Sequence, residues 1–85
     1  MGRNPRPPDL TTWQGRCGAH IRKLRQKRFS TQDDFVAELR KNGLETVTKS
    51  TVSGWETGAS APPIARFHAI AQSLRVPIRW LIPPE

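Results

Sequence analysis

Residues 48–58 read Thr-Lys-Ser-Thr-Val-Ser-Gly-Trp-Glu-Thr-Gly, and helical spacing divides their side chains into two sets. Val52 and Trp55 are large and fall on one side, while Lys49, Ser50, Ser53, Gly54 and Thr57 are small or basic and fall on the other. Ser and Thr are poor helix-interior residues, so a face kept only for solvent would more naturally hold Glu, Lys or Gln. A short helix with a slim polar side can enter the major groove of duplex DNA closely. There its hydroxyls and ammonium can hydrogen-bond base edges or phosphates. Other chemistries are poorly provided for. His20 and His68 are not spaced with Cys17 in any zinc-ligand pattern. There is no Ser/His/Asp set, Gly-rich phosphate loop or carboxylate pair to argue from. We therefore expect no enzyme, no cofactor and no metal. Cys17 reads as a small buried hydrophobe. Trp55, Trp80 and the phenylalanines sit at core spacing, against a stacking platform for single strands.

These residues belong to a chain of 85, enough for one small domain. Its 14 Lys and Arg against 7 Asp and Glu give a net charge of +7, which points to a polyanionic partner. The surplus lies entirely in residues 1–28, with Arg3, Arg6, Arg16, Arg22, Lys23, Arg25, Lys27 and Arg28 against Asp9 alone. A single cysteine excludes an internal disulfide. No run is apolar enough for a membrane span, and the Arg/Pro-rich start is no signal peptide. The expected compartment is the cytoplasm, with no membrane partner.

Helical patterns fill most of the chain. Residues 1–15 read as a flexible basic, Pro-rich tail, and residues 16–85 as the domain. Trp13 is either folded back onto the domain or exposed. Cys17, Ile21 and Leu24 form the stripe of a first helix, about Cys17 to Arg28. Ser30 or Thr31 can cap a second, about Gln32 to Lys41, with Phe35, Val36 and Leu39 inward and Asn42-Gly43 as its stop. Thr48 can cap a third, Lys49 to Thr57, ended by Gly58. Ile64, Phe67, Ile70, Ala71 and Leu74 line a fourth, about Pro63 to Leu74, and Pro77 to Ile82 reads as a short fifth. The fold class is all-α, a compact five-helix bundle.

The order Thr31-Gln32, Phe35-Val36-Ala37, Leu39, then STVSGWETG, a proline and FHAIAQSLRVPIRWLI resembles the phage repressor/Cro-type (XRE) helix-turn-helix family over about residues 18–82. The resemblance implies a lambda-repressor-like DNA-binding domain. It puts Lys49 and Ser50 at base-touching positions, Ser53 nearby on the outward side, and Gly54 where the family often has a third reading side chain. A glycine there implies fewer direct contacts or a closer backbone approach. Gln32 matches a residue that anchors to phosphate or a neighbouring base, and its helix end offers free N–H groups and a positive dipole. Thr48 is either a phosphate contact or simply the N-cap. Arg25 and Glu56 match an ion pair that would fix the angle of the third helix and aim Arg25 at the backbone; an unpaired surface arginine is the alternative. Arg22, in the basic first helix, is a further phosphate contact. About six more residues than a tight helix-turn-helix turn separate Leu39 from Thr48. Either the second helix is longer or the turn is a loop, with Arg40 and Lys41 as added phosphate contacts and Leu44 and Val47 beneath. Arg3 and Arg6 could follow a minor groove.

The expected function is a sequence-specific duplex-DNA-binding transcriptional regulator, a repressor acting as a homodimer on a palindromic operator. One recognition helix reads too few base pairs to be specific in a genome, and two related by a two-fold axis remedy that. The dimer surface is expected in the region of the fourth and fifth helices, Arg75 to Ile82 with Trp80. The alternatives are an antitoxin-type regulator that also holds a protein partner, a protein-interaction module that kept the fold, and a non-specific cationic binder of RNA or membrane.

Overall fold

The computed structural model describes residues 10–83. Four α-helices follow in order: α1 Trp13–Arg28, α2 Gln32–Lys41, α3 Lys49–Thr57 and α4 Ile64–Leu74. A 3-10 turn, Ile78–Leu81, follows them. The expected short fifth helix is therefore corrected to this single turn, and among the described residues there are four α-helices, not five. Pro77 and Pro83 leave only a few residues between them, too few for a ladder of α-type bonds. The tighter bonds form instead, from Trp80 N–H to the Pro77 carbonyl and from Ile82 N–H to that of Arg79. Among the described residues there is no strand, and no helix is long and apolar enough to cross a membrane.

Helix α1 starts at Trp13, four residues before the expected Cys17. Thr12 caps it, its side chain accepting from Gly15 N–H at 3.0 Å. Residues 13–15, read from sequence as the end of the tail, thus form the first helical turn. Two glycines, Gly15 and Gly18, make the start of α1 poor in propensity. Tertiary packing supplies the reason for them: a Cβ on Gly18 would collide with the carbonyl oxygen of Trp55 in α3. The two helices meet there backbone to backbone.

The core gathers Cys17 and Ile21 from α1, Phe35 and Leu39 from α2, Val52 and Trp55 from α3, Phe67, Ile70 and Leu74 from α4, and Leu81. Burial pushes the Cys17 thiol up to about 11, so it stays neutral. It donates to the Leu81 carbonyl at 3.2 Å and ties the C-terminal turn to α1. Ile64 departs from its expected place: it is 86% exposed, because as the first residue of α4 it stands ahead of the core.

Helix α2 ends at Lys41, so the additional residues form a true loop. Gly43, at φ 106°, makes the left-handed stop, and Leu44 N–H returns to the Leu39 carbonyl. Val47 is buried, and Leu44 packs on the core's edge. Arg40 Nε donates to the Val47 carbonyl at 3.0 Å, which fixes the far end of the loop just before α3 begins. Asn42 Nδ2 donates to Ser73 Oγ at 2.9 Å and ties the near end to α4.

Candidate nucleic-acid interface

The N-terminus of α3 is open. Thr48, Lys49 and Ser50 are exposed. Thr48 is the N-cap: its hydroxyl accepts from Thr51 N–H at 3.3 Å, and Thr51 Oγ1 accepts in return from Thr48 N–H at 3.4 Å. No acid lies in the first turn of α3, so its positive dipole end is uncompensated by its own side chains. Arg40, through its bond to Val47, is held close to this end of α3.

The C-terminal half of α3 is enclosed. Glu56 is only 2% exposed, and Arg25, reaching from α1, is 7% exposed. Arg25 donates through Nε to Oε2 of Glu56 at 2.9 Å and through Nη2 to Oε1 at 3.0 Å. This two-pronged geometry fixes orientation as well as distance. Gln32 Nε2 donates to the same Oε1 at 3.1 Å, and Ser53 Oγ donates to Gln32 Oε1 at 2.9 Å. Four of the residues singled out by sequence therefore form one hydrogen-bonded chain across α1, α2 and α3.

Their roles change accordingly. Arg25 is sequestered by Glu56 and leaves little guanidinium surface for a phosphate. Burial, not sequence pattern, decides this. Gln32 spends both ends of its amide inside the protein, and the exposed Asp33 and Asp34 follow it in the first turn of α2. Those carboxylates oppose a phosphate at that helix end. Ser53 is half-buried and turned toward Gln32. Thr57 donates its hydroxyl to the Ser53 and Gly54 carbonyls of its own helix. Arg22 is half-buried on the same row of α1 as Gly18 and Arg25. Arg3 and Arg6 lie outside the described residues.

Three residues escaped the sequence reading. Gly15 and Gly18 let α1 approach α3: a Cβ on Gly58, which holds φ 83°, would stand 2.6 Å from Gly15 Cα. The third is Ser60, exposed in the loop after α3, whose N–H donates to the Gly54 carbonyl at 3.2 Å. Its hydroxyl oxygen lies 2.9 Å from where a Cβ on Gly54 would be. The space left at position 54 thus has a hydroxyl beside it. Gly54 was the available signal, but sequence does not reveal which residue folds back over it. No group of three or more metal-ligating side chains occurs among the described residues.

A helix-turn-helix family model matches residues 21–81, which takes in the second half of α1, then α2, the loop, α3, α4 and the 3-10 turn. No curated protein matches the chain, and no solved structure does.

Proposed function

Since this chain belongs to the repressor/Cro-type (XRE) helix-turn-helix family, a family of DNA-binding transcription regulators, we propose that it is a sequence-specific repressor that binds a palindromic operator as a homodimer. The observation that carries this reading is the contrast within α3. Lys49 and Ser50 stand free at one end, and the Arg25–Glu56–Gln32–Ser53 chain holds the helix from behind. In this reading Lys49 and Ser50 contact base edges. Gly54 lets the helix backbone and the Ser60 hydroxyl come close. Thr48, Arg40 and Arg22 contact phosphates, and Arg25 and Gln32 act by positioning α3.

A dimer through α4 and the Arg75–Ile78 stretch, away from the Trp80 side of the C-terminal turn, is supported by exposed Ile64 and Ile78, and by a shallow hollow that Ile78 lines with His68, Gln72, Val76 and Pro77. Repression follows from occupying the site. Selection from random duplexes followed by footprinting tests this. One preferred, two-fold symmetric site is expected, and selection that yields no preferred sequence would refute it.

A further inference from the structure

The basic surplus of the N-terminal third does not all face one way. Gly15, Gly18, Arg22 and Arg25 follow one row of α1, the row that meets α3. His20, Lys23 and Lys27 follow another, about 150° round the helix. This second row forms one wall of an open cleft of about 450 Å³, and Arg79, Trp80 and Ile82 form the other, with Leu24 between them. His20 Nδ1 donates to the Trp80 carbonyl at 3.0 Å, and the Cys17 thiol donates to that of Leu81, so the two walls are braced together. Lys23, Lys27 and Arg79 are exposed, and among the described residues no acid lines the cleft. Trp80 is 50% exposed and Ile82 46%.

A cleft on this side cannot touch the duplex that α3 reads, an argument that rests on the DNA-binding reading above. Its chemistry is also wrong for a bare polyanion. Leu24 and Ile82 offer nothing to a phosphate, but they suit an apolar side chain. A second copy is disfavoured as well, because a two-fold contact here would set the three cations against their own copies. The cleft is open and shallow, whereas a small ligand needs most of its surface covered.

We propose that this cleft docks an acidic segment of a partner protein, which inserts one apolar side chain between Leu24, Trp80 and Ile82 and sets carboxylates against Lys23, Lys27 and Arg79. The DNA-reading face stays free, so the partner and the operator bind together.

The test is an NMR titration of the full chain with a short peptide of Asp and Glu flanking one Phe. Shifts are expected at Lys23, Lys27, the Trp80 indole and Ile82, weakened by salt and retained when operator DNA is bound. The double variant Lys23→Glu/Lys27→Glu should bind the peptide roughly tenfold more weakly while its spectrum stays folded and its DNA preference is unchanged. Shifts at Lys49 and Ser50 with displacement by DNA would overturn the proposal, as would unaltered peptide binding by the double variant. So would a cleft that takes duplex DNA in preference to the peptide, or one covered by a second copy until the protein is diluted. Peptide binding at the cleft of a chain that selects no DNA sequence would support the docking site and count against the DNA reading alone.

Discussion

The two ends of α3 are built on opposite rules. At its C-terminal end the backbone lies against α1 with no room for a Cβ on Gly18, and a buried carboxylate is held by an arginine and a glutamine. At its N-terminal end only a pair of threonine hydroxyls closes the helix, and Lys49 and Ser50 project freely. The difference shows how a nine-residue helix can be both rigid and available. Orientation is set where the helix touches protein, which releases the opposite end from any packing duty.

Substitutions at the two ends should therefore differ in kind. The largest effect is expected for Glu56→Ala, which leaves Arg25 buried without its partner and should cost about 3–5 kcal/mol in urea unfolding. The double variant Arg25→Met/Glu56→Leu should recover part of that loss, since a well-packed apolar pair avoids the desolvation of charge. Next comes Gly18→Ala, where the added methyl meets backbone; about 3 kcal/mol is expected, with a shift of α3 against α1 visible in amide chemical shifts. Thr48→Ala removes a cap and should lower stability by about 1 kcal/mol in the same unfolding assay. Smallest of all, Lys49→Ala and Ser50→Ala should leave stability within about 0.5 kcal/mol. A large loss at either would erase the distinction between the two ends.

Much of this arrangement is legible in the sequence because its causes are local. The apolar stripes of α2 and α3, the Asn42-Gly43 stop and the Thr48 cap are each written within a few residues, and each stands where the pattern puts it. What escaped depends on distant partners. Gly15 and Gly18 read as weak helix formers until α3 is laid beside them. The resemblance pairs Arg25 with Glu56, but that the pair is buried and draws in Gln32 shows only once the three helices are packed. The fifth helix failed because the reading followed the apolar run and gave too little weight to Pro77 and Pro83, whose spacing leaves room for a single 3-10 turn. Arg75 ends α4 at φ 57°, a conformation that its residue type does not announce and that the Val76 N–H to Ala71 carbonyl bond imposes. The division of the basic charge between two faces of α1 is likewise a matter of helical phase, invisible in a net charge.

The central claim is that the free end of α3 distinguishes one base sequence from another. The most direct measurement compares Lys49→Ala with Arg22→Ala on the selected site and on scrambled duplexes at one salt concentration. Lys49→Ala should lower the ratio of the two affinities by about tenfold, in line with about 1–3 kcal/mol of discrimination for a base contact. Arg22→Ala should weaken binding to both duplexes alike and leave the ratio unchanged. An unchanged ratio for Lys49→Ala, or a reduced one for Arg22→Ala, would contradict the assignment of the reading end.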